Sequence, residues 1–192
     1  IDFLTEEELN LMERIPLVEG SMKYHHRNLY IFAAYAGGLR ISDLLTLRWL
    51  NFDGERLLLD TLKTDATVTI KLPNKALSIL EYYKKPDTKK TDFIFPFLKN
   101  DVDYSQPKKL YNAISSASAY TNRDLKYFAD MMELNKKLHF HTSRHTFATR
   151  ALKKGARIEY VSKLLGHANI KTTQVYAKIV NEDLDKAMDL FN

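Results

Sequence analysis

The chain has 192 residues, 45% of them hydrophobic and none of them cysteine. That is enough apolar material for one sizeable core, and it rules out disulfides and cysteine-ligated zinc or iron–sulfur centres. No run approaches the ~18 apolar residues of a membrane span, and no basic segment followed by an apolar one opens the chain. The composition therefore points to a globular, cytoplasmic protein with no membrane partner.

The formal charge of +5 is partitioned. Residues 1–20 carry −5 and residues 181–192 carry −3, which leaves +13 on residues 21–180. A basic body between acidic ends attracts a polyanion, most simply nucleic acid, although lysines that only solubilise a surface give the same count.

Taken in order, Thr5-Glu6-Glu7-Glu8 is a capping threonine with first-turn acids and predicts a helix start. The chain enters this helix with no initiator Met, as an excised domain would. Residues Arg27–Ala36 form a strongly apolar helix that should be buried on most sides, and Gly37-Gly38 ends it. Ser42 starts a further short helix, which leaves Arg40 at the junction. There the apolar flanks should fix its guanidinium, or it caps the carbonyls of the preceding helix.

Trp49–Phe52, Leu57–Lys63 and Thr67–Leu72 read as three short strands, with turns at Asp53-Gly54 and Thr64-Asp65-Ala66. Such closely spaced strands should pair antiparallel, with one wet face. Lys63 ends the middle strand, where its ammonium either reaches a neighbouring groove or is a solvated charge.

Pro73-Asn74 opens a helix through about Tyr83, residues 84–90 form a polar basic loop, and Phe93–Phe97 is a short buried segment. Ser105 with Pro107 begins a helix to about Ala119, and a second runs from Asn122 to about Met132. Thr142 or Ser143 caps a helix over Ser143–Lys154, with His141 just before it and Arg144 in its first turn. Both then face the positive end of a helix dipole, where phosphates bind readily.

Gly155 stops that helix, and Arg157–Leu165 forms the next. Gly166 ends this one with His167 directly beyond, and Thr172 or Thr173 caps the helix that carries Tyr176. Leu184, Ala187, Met188 and Phe191, at i, i+3, i+4 and i+7, give an amphipathic terminal helix. The expected fold class is mainly α with a small three-stranded antiparallel β-sheet.

Cleaving a phosphodiester by direct attack requires a nucleophile, donors for the non-bridging oxygens and an acid for the leaving hydroxyl. Arg40, Arg144 and His167 can supply the donors, arginine being favoured by its planar fork. Tyr176 can attack, provided a base or local positive charge offsets its pKa near 10. His141 can accept its proton, and Lys63 can protonate the departing 5′ oxygen. No carboxylate cluster or His/Asp spacing reads as a divalent-metal site, so no metal or cofactor is expected.

These residues stand in the motifs Gly38-Leu39-Arg40-Ile41-Ser42-Asp43-Leu44, Leu62-Lys63-Thr64, His141-Thr142-Ser143-Arg144-His145-Thr146-Phe147-Ala148-Thr149 and Leu164-Leu165-Gly166-His167, followed by Tyr176. In that order they resemble the catalytic domain of the tyrosine recombinases, the phage-integrase family, and the likeness covers essentially all 192 residues.

The resemblance implies that Arg40, Arg144 and His167 bind the scissile phosphate. Lys63 is the general acid, with Lys71 a nearby competitor. His141 assists proton transfer, and Tyr176 forms a 3′-phosphotyrosyl link. Asp43 helps hold the first arginine, and His145 is a structural residue in the helix junction. It further implies strand exchange without ATP or metal, through a Holliday junction in a homotetramer on two double-stranded DNA sites; integration or excision of a mobile element is the expected task, with chromosome-dimer resolution and promoter inversion as the alternatives.

The helical N-terminal domain with which the family clamps DNA has no counterpart in these residues, so weak DNA binding is expected. The terminal helix resembles the segment exchanged between subunits, or it packs on its own domain. Two other activities compete. A topoisomerase IB-like relaxer or hairpin telomere resolvase fits the motif spacing less well. A DNA-binding module without catalysis conflicts with the filled catalytic positions.

Overall fold

Thr5 opens helix α1 (Glu6–Arg14) with a reciprocal capping box. Its hydroxyl accepts from the Glu8 N–H, and the Glu8 carboxylate accepts from the Thr5 N–H at 2.7 Å. The computed structural model describes residues 1–60, 62 and 67–189. Beyond α1 they form helices α2 (Met22–Tyr35), α3 (Ile41–Leu45), α4 (Asn74–Tyr83), α5 (Pro107–Met131), α6 (His141–Lys153), α7 (Ile158–Leu164) and α8 (Lys171–Met188). Strands β1 (Arg56–Asp60) and β2 (Thr67–Lys71) lie between α3 and α4. No helix among the described residues is long and apolar enough to cross a membrane.

Helix α2 is the central post. Nine consecutive residues, His26 to Ala34, are buried, as its apolar run predicts, and Ser21 caps it. The main core collects Leu29, Tyr30, Phe32, Leu44, Leu57, Phe95 and Phe128 around it. Burying each such side chain contributes roughly 1.5–3 kcal/mol.

A second, smaller core of Ala148, Val161, Leu165 and Tyr176 binds α6, α7 and α8 together. Polar ties lock the two cores to each other. The Tyr30 hydroxyl lies 2.9 Å from Thr142 Oγ1 on α6. Arg150 grips both Glu6 carboxylate oxygens, at 2.9 and 3.0 Å, and donates to the Ala34 carbonyl.

Four expected elements differ in the structure. Among the described residues the sheet has two strands, with Arg56 opposite Lys71 and Asp60 opposite Thr67. The expected third strand is a 3-10 turn at Trp49–Asn51, because Asn51 Oδ1 accepts the Arg48 N–H and curls the segment; Phe52 keeps an isolated bridge to Leu57.

The two helices expected between Ser105 and Met132 are the single 25-residue α5. Asn122, which the sequence offers as a second start, uses its Oδ1 on the Phe140 N–H at 2.7 Å. Helix α6 begins at His141 rather than Ser143, because the Thr142 and Ser143 hydroxyls donate back to the His139 and Phe140 carbonyls instead of capping.

The helix that carries Tyr176 and the expected terminal helix are one element, α8. Phe191, Lys63, and the side chains of Leu184 and Ala187 fall outside the described residues.

The α2–α3 turn requires glycine at its tightest point. Gly38 has φ +64°, and an added Cβ would stand 2.9 Å from Leu165 Cδ2, 3.2 Å from Phe147 Cδ1 and 3.3 Å from Arg144 Cα. Gly38→Ala should therefore cost about 1–2 kcal/mol for the left-handed backbone plus about 1–3 kcal/mol for overpacking. Gly20→Ala, at φ +75° with nothing within 4 Å, should cost only the backbone part. Denaturant unfolding of both variants checks this, and equal losses would refute the close approach.

Candidate active site

Residues from four places in the fold meet where α6 starts. Arg40 occupies the N-cap position of α3, in extended backbone (φ −72°, ψ 153°) directly after the glycine turn. It lines a cleft of about 220 Å³ with Leu39, Ile41, Phe140, His141 and Arg144.

Arg144 is only 4% exposed. Its Nη1 donates to the Gly38 carbonyl at 2.8 Å and its Nη2 to the Leu165 carbonyl, so one guanidinium ties the α2–α3 turn to the end of α7. Burial, and then the positive charge of Arg40, push its pKa down to about 10, which leaves it cationic at neutral pH.

Asp43 lies buried behind the arginines. Its Oδ1 accepts the Leu62 N–H at 2.9 Å, and its Oδ2 has no hydrogen-bond partner among the described residues. Burial raises its pKa, against the Leu62 N–H and the charges of Arg40 and Arg144. The carboxylate thus acts on Arg40 through space while its direct bond holds the Leu62 backbone. Lys63 itself lies outside the described residues. Lys71 sits on the exposed face of β2, with its Nζ 2.6 Å from Glu55 Oε1.

Gly166 takes φ +61° to end the turn after α7, and His167 follows it. His167 Nδ1 lies 2.8 Å from Thr173 Oγ1, a buried hydroxyl in the first turn of α8. Burial, then the charges of Arg144 and Arg40, push the His167 pKa down to about 4, so the ring is neutral near pH 7.

Tyr176 is 4% exposed and packs in the smaller core. Its hydroxyl lies 2.7 Å from His145 Nδ1. Burial raises the Tyr176 pKa and the charge of Arg144 opposes the rise. His145 is driven down to about 4 by burial, then by His141 and His139. Exposed His141 stands edge-on to His145 with ring centroids 4.7 Å apart, and His139 stacks on His141 at 6.5 Å.

Arg40, Asp43, His141, Arg144, His145, His167 and Tyr176 are therefore neighbours, as their motifs suggest. The nitrogen on the phenol is that of His145, which the resemblance offered as structural, rather than that of His141. The spacing of the two histidines, i and i+4 on α6, was the available signal. Thr173 was noticed only as a cap, and its bond to His167 had no local signature.

Fold and site together define a mainly helical domain built around a constellation of arginines, histidines and a tyrosine, of which Arg144 and Tyr176 are buried. Residues 2–182 match the phage integrase family, and the chain belongs to that family. It is similar to the tyrosine recombinase XerC of Pediococcus pentosaceus, 29% identical over 192 residues that cover 96% of this chain and 60% of the relative.

Two solved structures share the fold. One is the XerH site-specific recombinase bound to a palindromic difH substrate as a post-cleavage complex. Its TM-score is 0.69 at 18% identity, covering 98% of this chain and 53% of that one. The other is the catalytic domain of bacteriophage HP1 integrase, with a TM-score of 0.58 at 19% identity, covering 98% and 94%.

Proposed function

We propose that residues 1–192 form the catalytic domain of a tyrosine-type site-specific DNA recombinase. It cleaves and rejoins double-stranded DNA through a 3′-phosphotyrosyl link at Tyr176 and exchanges strands between two sites, in the integration or excision of a mobile element. One observation carries this reading: the buried Tyr176 hydroxyl stands at the start of α6, beside the Arg144 whose guanidinium also lines the cleft with Arg40 and His141. The likeness to XerH on its difH substrate supports double-stranded DNA as the partner. A homotetramer on two DNA sites is the assembly in which it acts.

The chemistry follows from the charges. Arg40 and Arg144 bind the non-bridging oxygens of the scissile phosphate, where each preorganised donor is worth about 2.7–4 kcal/mol in the transition state. His167 is neutral. With Nδ1 accepting from Thr173, its Nε2–H becomes a third donor. Lys63 protonates the departing 5′ oxygen. Asp43 fixes the backbone at Leu62 and so limits where Lys63 can reach. The bond energy stays in the phosphotyrosyl link, so rejoining needs no nucleotide cofactor.

A pooled library of nicked suicide duplexes, incubated with the protein in EDTA and run on a denaturing gel, tests this. The expected result is a covalent adduct, mapped by mass spectrometry to the peptide that carries Tyr176. DNA binding without any adduct would instead make the chain a binding module.

A further inference from the structure

We propose that His145 is the group that takes the proton from Tyr176 during cleavage and returns it during rejoining, a role that rests on the phosphotyrosyl reading above. The hydroxyl and Nδ1 are 2.7 Å apart, within the O–H···N hydrogen-bond range and without an intervening water.

The direction of this bond follows from burial. Tyr176 is a phenol whose pKa is raised, and His145 is a neutral ring with one bare nitrogen. With Nδ1 bare, the buried phenolic proton is satisfied and the imidazole carries its own proton on Nε2. His141, the other imidazole on this face of α6, lies one ring further out, and its exposure gives the proton a path to solvent.

In the forward step the Tyr176 Oη–phosphorus bond forms while the phenolic proton moves to His145 Nδ1. The phosphorus–O5′ bond breaks, and the 5′ oxygen takes a proton from the acid on the leaving side. In reverse, the 5′ hydroxyl attacks phosphorus and gives its proton back to that acid, and Oη leaves with the proton held by His145. One proton is accepted and one delivered in each direction.

His145 is a weak base in the free protein because burial, and then the proximity of His141, His139 and Arg144, disfavours its charged form. A phosphodiester anion seated against Arg40 and Arg144 offsets those charges at the moment the proton is needed. Transfer concerted with attack also avoids forming either a free phenolate or a free imidazolium.

The test compares adduct formation on the duplex captured above, synthesised with either the natural 5′ oxygen or a bridging 5′ sulfur, which leaves without an acid. His145→Asn keeps a hydrogen-bonding atom near the Nδ1 position but cannot hold a proton. It should slow adduct formation about 10²-fold or more on both duplexes, the loss expected for a missing acid–base group.

Lys63→Ala should recover on the sulfur duplex alone. His145→Gly should regain adduct when imidazole is added, which also covers a failure of the asparagine variant to fold. Three results would overturn the proposal: His145→Asn as fast as the wild type, recovery of His145→Asn by sulfur, or DNA-bound His145→Gly that imidazole does not rescue. Absence of any adduct from the wild type would overturn the recombinase reading itself, and this proposal with it.

Discussion

Tyr176→Phe should reduce the covalent protein–DNA adduct to background while leaving DNA binding unchanged. The reason is local. The aromatic ring packs against Ala148, Val161 and Leu165, and phenylalanine fills the same volume, so the smaller core and the course of α8 survive. Only Oη is lost, and with it the bond to His145. Leaving a partly buried nitrogen without its partner costs about 1–3 kcal/mol, equivalent to a fall in melting temperature of about 2–4 °C per kcal/mol for a chain of this length. A folded variant that binds and does not react is the signature of a missing nucleophile. Residual adduct on the same duplex would assign the attack to a different side chain.

What the sequence makes legible here is whatever local chemistry decides. The Thr5 capping box and the span of α4 are short-range devices, and they appear where the residues announce them; α3 instead begins at Ile41, one residue before the expected Ser42, with Arg40 at its N-cap. The glycines at 38, 155 and 166 each take positive φ at the end of a helix, as their placement suggests.

The failures share one cause: a side chain with two possible hydrogen bonds made the less obvious one, distant in sequence for Asn122 and three residues back for Thr142, Ser143 and Asn51. Asn122 could have started a helix and instead holds the Phe140 N–H, so α5 runs on through it. Thr142 and Ser143 could have capped α6 and instead bond backwards, which moves its start to His141. Trp49–Phe52 has the apolar character of a strand, but the Asn51 side chain closes a turn first.

The site divides the same way. The closeness of Arg40, His141, Arg144 and His167 is readable because the motif spacings place each within a turn of a helix end. Who touches whom is not, because the meeting of His145 with Tyr176 spans 31 positions and depends on how α6 crosses α8. Asp43 is the intermediate case. Its proximity to the arginines was foreseeable, but its bond to Leu62 joins residues 19 positions apart and has no local signature.

Arg144→Ala should damage both activity and stability, because one side chain serves both the chemistry and the fold. As a donor to the phosphate it supplies about 2.7–4 kcal/mol of transition-state stabilisation, so adduct formation should fall about 10²–10³-fold. As a structural tie it satisfies the carbonyls of Gly38 and Leu165. Alanine leaves both acceptors unpaired in a buried place, at about 1–3 kcal/mol each.

Arg144→Lys separates the two roles. It preserves a positive charge next to Arg40 and Asp43, but a single ammonium lacks the fork that spans two carbonyls and a phosphate. The lysine variant should therefore keep more of the DNA binding than the alanine variant and recover little of the cleavage. Urea unfolding together with the rate of adduct formation measures both roles in one pair of variants. If Arg144→Ala cleaves at the wild-type rate, the guanidinium is only a brace between the α2–α3 turn and α7, and Arg40 must bind the phosphate without it.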